Sequence, residues 1–116
     1  MIRNLTNNDV LATKVRHCDT FLSRAQGLMF HRPLTKDEAL IFVERRESIS
    51  RAAIHMFFVF FPIAVIWLDA DKRVVDKVLA QPFRPYYAPR QPAQYYIEGH
   101  PDLLEKVQMG DILEIP

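Results

Sequence analysis

The chain is poor in four things, and each shortage excludes a class of protein. A single cysteine, Cys18, rules out an intrachain disulfide framework. Three glycines in 116 residues leave no Gly-rich loop of the kind that cradles phosphates. The net charge is only +1, with 15 Lys and Arg against 14 Asp and Glu, so nucleic acid and an anionic membrane surface are not expected partners. Finally, no apolar run is long enough to cross a bilayer. Between Arg51 and Asp69 lie seventeen residues broken by Pro62, where a spanning helix needs roughly 20. The opening MIRNLTNNDV lacks the apolar core of a signal peptide, which makes the cytoplasm the expected address.

What remains is 49% apolar and 25% charged, the profile of one ordinary globular domain over residues 1–116. Its most unusual stretch is IHMFFVFFPIAVIWLDADKRVV, in which only His55 and Pro62 interrupt the apolar residues from Ile54 to Leu68. A helix is a poor fit because Pro62 would remove a hydrogen bond and clash with the preceding turn. Phe, Val, Ile and Trp prefer strands. The stretch therefore predicts two strands, Ile54–Phe60 and Ile63–Asp69, with apolar residues at both parities and so covered on both faces.

Shorter elements flank it. Val10–Cys18 reads as one strand after the TNND turn. Asp19 or Thr20 caps a helix whose apolar face holds Phe21, Leu22, Ala25, Leu28 and Met29, ending before Pro33. ALIFVE (39–44) is a strand, RRES a charged loop and DADKR a tight turn. Val74–Ala80 has helical spacing, but three valines after a tight turn make it the return arm of a hairpin. PFRPYYAPRQP carries four prolines in eleven residues and must be a stiff surface loop. QYYIE (94–98) is a strand. Pro101 opens a short helix carrying Leu103, Leu104 and Val107, Gly110 stops it, and DILEI is the last strand. Leu22, Leu28, Phe57, Phe58, Val65 and Trp67 are the expected core.

Five segments occur together in this order: RAQGLMFHRPL, the IHMFFVFFPIAVIWLDADKRVV run, the PFRP loop, YYIEG and VQMGDILEI. In this the chain resembles the domain-of-unknown-function 192 family of small prokaryotic proteins over roughly residues 10–116. The resemblance implies a compact, mostly antiparallel β-sandwich or barrel of jelly-roll type with one or two short helices. It carries no biochemical activity with it. One departure stands out: the family usually has an aspartate after the isoleucine of the PI pair, and here that position is Ala64.

Candidate functional residues are few. His55 could serve as a base or ligand near neutral pH, although a lone histidine at a strand start is more often hydrogen-bonded structure. His17, His31 and His100 show no metal-motif spacing, and a zinc site needs three or four convergent ligands, so no metal and no cofactor are expected. Cys18 reads as a small packed side chain, and Asp69 and Asp71 as turn residues. The richest constellation is Arg84, Tyr86, Tyr87 and Arg90 on the proline-rich loop, with Arg24 and Glu98 placed nearby by the resemblance. Arginine forks and tyrosine faces suit a carboxylate, phosphate or planar ligand. The structural alternative is a packed loop with Arg24–Glu98 as an ion pair. Two functions from different classes follow. One is a small ligand- or partner-binding module using Arg24, His55, Arg84, Tyr86, Tyr87 and Glu98. The other is an enzyme acting on a carbohydrate or other polar metabolite, with Glu98 or His55 as acid or base.

Overall fold

A computed structural model describes residues 1–18 and 27–116. The expected helix from Asp19 or Thr20 falls largely on 19–26, outside the described residues, as do the expected burial of Leu22 and the placement of Arg24. The chain is mainly β. In order it forms β1 (Ile2–Asn4), β2 (Val10–Ala12), β3 (Lys14–Cys18), β4 (Glu38–Ser48), β5 (Ile63–Leu68), β6 (Val74–Ala80), β7 (Ala93–Gly99), a short helix α1 (Leu103–Lys106) and β8 (Leu113–Glu114). Two sheets result, β2-β1-β8 and β3-β4-β7-β5-β6, and neither closes into a barrel among the described residues. Every pairing is antiparallel except β3 with β4, which is parallel. No helix among the described residues is long and apolar enough to cross a membrane.

Three strand assignments need correction. The expected single strand Val10–Cys18 is two, because the chain changes sheets at Thr13. Val10 and Ala12 pair with β1, while Lys14–Cys18 pair with β4. The amides of Thr13 and Lys14 both donate to the Asp37 carbonyl, at 3.0 and 2.9 Å, which fixes the crossing point. The expected charged loop RRES is instead the outer end of β4: its residues run out past the packed core, and Ser48 regains register with Ala93 across an irregularity. Charged residues suit a strand end that projects into water.

The third correction is the largest. Ile54–Phe60 is not a strand. Only Ile54 makes a bridge, to Tyr87, and the backbone then turns at Met56–Val59, with Phe58 at φ 58°. Ile54, Met56 and Val59 point inward, whereas Phe57 and Phe58 are 45% and 46% exposed, against the expectation that both are core. A sheet partner would have been needed on each side, but β7 is already flanked by β4 and β5. The other half of the run behaves as expected. All six residues of β5 are buried, Val65 and Trp67 among them, and β5 lies between β7 and β6. Leu28 is buried too.

The five-stranded sheet has two differently covered faces. On one, Ile41, Ala64, Ile66, Leu68 and Ile97 pack against Ile2, Leu11, Leu113 and the helix residue Leu103. On the other, Leu40, Phe42, Val65, Trp67 and Tyr96 are covered by Ile54, Met56 and Val59 of the 49–62 loop and by Leu28 and Leu34. Ala64 faces the first core, fully buried. An acid at that position would point away from the loop-covered face.

The turn between β5 and β6 follows the expected turn chemistry. The Asp69 carboxylate accepts from the amides of Asp71 and Arg73 at 2.9 and 3.0 Å, and Lys72 takes the left-handed conformation, φ 63°.

Candidate functional site

The loop-covered face is where polar groups become interesting. Phe42 and Glu44 alternate inward on β4, and Tyr96 and Glu98 do the same on β7. Phe42 and Tyr96 are register partners, and their rings lie parallel with centroids 4.6 Å apart. This pair forms a flat aromatic wall. Glu98 sits one pleat further along, flanked across the sheet by Leu40 and Val65.

Above this floor the 49–62 loop is held by three sets of bonds. The Trp67 indole N–H donates to the Ala52 carbonyl at 2.7 Å in a buried site. Ile54 and Tyr87 exchange backbone bonds of 2.8 and 2.9 Å, and the Met56 amide donates to the Arg84 carbonyl at 2.8 Å. The Phe30 amide donates to the Phe58 carbonyl at 2.8 Å, which brings in the 27–34 segment. Floor and roof do not meet everywhere. Between them lies a cavity of about 310 Å³, lined by Gly27, Leu28 and Met29, by Phe42, Glu44, Tyr96 and Glu98, and by Arg51, Ala53, Ile54, His55, Met56 and Val59.

Glu98 is the chemically unusual member. The residue is only 6% exposed, and its carboxyl has no hydrogen-bond or ion-pair partner among the described residues. Taking a carboxylate out of water penalises its charged form, and burial pushes this one from 4.5 up to about 8. At neutral pH it is therefore largely a carboxylic acid, able to donate as well as accept. A contrasting acid lies at the foot of β4: Glu38, bound by both guanidinium nitrogens of Arg32 at 2.7 and 2.6 Å and by the Thr35 amide, is held down to about 2. One carboxyl is satisfied by protein and the other opens onto space.

The residues singled out in the sequence separate into two groups. His55 and Glu98 line the same cavity. His55 is exposed there, with Nδ1 accepting the Phe57 amide at 3.1 Å and its ring 5.4 Å from that of Phe57. Arg84, Tyr86 and Tyr87 lie outside the lining. Tyr87 holds the loop, its hydroxyl accepting the Gln81 amide at 2.8 Å, and Tyr86 stands 63% exposed. Arg90 is engaged elsewhere, its guanidinium 2.9 Å from Asp76. Phe42, Glu44, Arg51 and Tyr96 were missed. The parity of ALIFVE held the signal for two of them, since Glu44 shares the inward face of Leu40 and Phe42, and an acid on that face is out of place in a simple core. Among the described residues no three His, Cys, Asp or Glu side chains gather as a metal site would require.

Comparison with known proteins fits this picture. A UPF0127 protein of Thermococcus kodakarensis is 43% identical over 115 residues, covering 97% of this chain and 71% of the relative. A UPF0127 protein of Pyrococcus furiosus is 38% identical over 113 residues, covering 96% and 94%. The crystal structure of a protein of unknown function from Novosphingobium aromaticivorans shares the fold, with a TM-score of 0.79 at 24% identity over 87% of this chain and 74% of that one. The family model described as Uncharacterized ACR matches residues 3–115, and the chain belongs to that family, the domain-of-unknown-function 192 proteins.

Proposed function

We propose that the protein is a small-ligand-binding β-sandwich module whose site is the cavity beneath the 49–62 loop. The observation that carries this reading is the Glu98 carboxyl, buried, with no partner among the described residues, and opening onto that cavity. A buried polar group is normally satisfied by protein or water, and one that is not marks a place where a ligand can supply the missing bond. The stacked Phe42–Tyr96 pair provides an apolar wall for a planar or aliphatic ligand body. Glu98 fixes its polar end. His55 and Arg51 stand at the opening, where they can meet a polar or anionic substituent.

Native mass spectrometry and a thermal-shift screen of the purified protein against a polar-metabolite library test this directly. A ligand that raises the melting temperature, and fails to do so with Glu98→Gln while that variant stays folded, is the expected result. Ligand binding unaffected by Glu98→Gln would move the site elsewhere.

A second reading is favoured by the joint presence of Glu98 and His55. An acid whose burial pushes it up to about 8, sharing a cavity with an exposed imidazole, could act with it as general acid and base on a carbohydrate or other polar metabolite. Turnover of a ligand found in the screen, lost in both Glu98→Gln and His55→Ala, distinguishes catalysis from binding.

A further inference from the structure

Outside the cavity, the loops that roof it present five phenylalanines to solvent, and four of them gather together. Phe30, Phe58, Phe60 and Phe83 are 69%, 46%, 59% and 45% exposed. They come from three separate segments but form one cluster. Phe30 stacks on Phe58 with centroids 4.9 Å apart, Phe60 meets Phe83 edge-on at 5.0 Å, and Phe58 lies 6.1 Å from Phe83. Three of the four, Phe30, Phe58 and Phe83, hold φ between 58° and 63°. A bulky side chain rarely takes that backbone conformation, so the chain spends conformational energy to hold these rings on the outside.

The surroundings are lopsided in charge. Segments 27–34, 49–62 and 81–92 contain Arg32, Arg51, Arg84 and Arg90 together with His31 and His55, and not one Asp or Glu. Arg32 and Arg90 are paired with acids from other elements. Arg84, directly after Phe83, has no ion pair among the described residues. The net charge of +1 conceals this, because the acids are elsewhere in the chain.

We infer that this aromatic face, whose three segments contain no acid, docks onto an anionic lipid surface, the phenylalanines entering the headgroup–acyl boundary and Arg84 meeting lipid phosphates. Three arguments select this occupant. A second copy would bring the same face against itself, setting basic segments against basic segments that carry no carboxylate of their own. The four exposed fractions, on side chains of about 200 Å² each, amount to roughly 400 Å², about half the ~800 Å² per partner of a stable protein interface. A bilayer imposes no such minimum, since apolar insertion and attraction to anionic lipid act together. Single-stranded nucleic acid needs free aromatic faces on which bases stack, but Phe30 and Phe58 already cover one another.

Co-sedimentation of the full chain with vesicles tests the inference. Vesicles of equal parts phosphatidylcholine and phosphatidylglycerol should bind it more tightly than pure phosphatidylcholine, and added salt should weaken the binding. Phe30→Ser and Phe60→Ser should each weaken partition about tenfold, and Arg84→Gln should reduce only the preference for anionic lipid. Both phenylalanines are exposed, so the melting temperature of each variant should match the parent and show that the fold is intact. Phe60→Trp should bind, with its added emission shifting to the blue on vesicles. Failure to sediment with the mixed vesicles would overturn the inference. So would a concentration-dependent dimer dissolved by Phe60→Ser, which would assign the face to a second copy. Binding of a single-stranded oligonucleotide lost in the same variants would overturn it as well.

Discussion

The two faces of the five-stranded sheet are made from the same strands and meet different fates. One is closed by secondary structure: β1, β2, β8 and α1 cover Ile41, Ile66, Leu68 and Ile97, and the residues of that core interlock. The other is closed by loops, and there the packing leaves about 310 Å³ of space and a carboxyl with no partner among the described residues. Regular elements satisfy their own backbone and bring whole apolar faces together. Loops must spend side chains and carbonyls on holding themselves in place, as Ala52, Tyr87 and Arg84 do here. The lesson is that the strand-covered face is closed by regular packing, while the loop-covered face is free to carry chemistry.

That contrast can be broken at several points. Ile66, fully buried on the closed face, should be the most sensitive: Ile66→Ala should destabilise by about 3–5 kcal/mol in denaturant titration, because interlocked neighbours cannot collapse into the void. A cost below about 1 kcal/mol would mean that the closed face is not the stability core.

Next comes Glu98. Its folded pKa, about 8, lies above the ordinary 4.5, so the folded state holds a proton that the unfolded state gives up first. The contribution of this group to stability is therefore greatest below about pH 4.5. It declines as pH rises toward 8 and is flat beyond. Glu98→Gln removes the titration and should stabilise the protein by roughly 2–4 kcal/mol at pH 9, with little change at pH 4. Equal effects at both pH values would show that the carboxyl is not held in its acid form.

Trp67 ties the loop-covered face to its cover, rooted in β5 and bonded to the 49–62 loop. Trp67→Phe leaves the Ala52 carbonyl without its donor and should cost about 2–3 kcal/mol. Hydrogen exchange should accelerate in residues 49–62 more than in β1 or β8. Uniform acceleration would mean that the loop is not a separate unit.

The smallest effect belongs to Gly99. A Cβ there would collide with Leu103 Cδ1, so Gly99→Ala must displace a buried leucine of α1 and should cost about 1–2 kcal/mol. Adding Leu103→Val should recover part of that loss if the clash is its cause.

How far the sequence could be read follows the same division. Strands β5, β6 and β7 and the short helix were legible because apolar runs ended at strong punctuation, the Asp69–Arg73 turn and Pro101 among them. The 54–60 segment was not, because a run apolar at both parities looks alike whether its rings are buried in a sheet or gathered on a surface. Phe57 and Phe58 were misplaced for that reason. The break at Thr13 was invisible since which sheet a strand joins is decided by distant partners, here β1 and β4. In the site, His55 and Glu98 could be named singly. That they share a cavity is tertiary information, and so is the absence of a described partner for Glu98.

The late position of β7 in the chain bears on biosynthesis. Among the described residues β7 alone joins β4 to β5, so before residues 93–99 leave the ribosome the sheet can form at most two separate pairs, β3-β4 and β5-β6, each with open edges. The β1–β8 pairing comes later still, with residues 113 and 114. A nascent chain therefore carries the apolar 54–68 run without its β7 partner from the time that run emerges until residues 93–99 follow, a condition that favours aggregation and chaperone capture. Chains arrested before residue 93 should be found with such chaperones, and chains that include β8 should not.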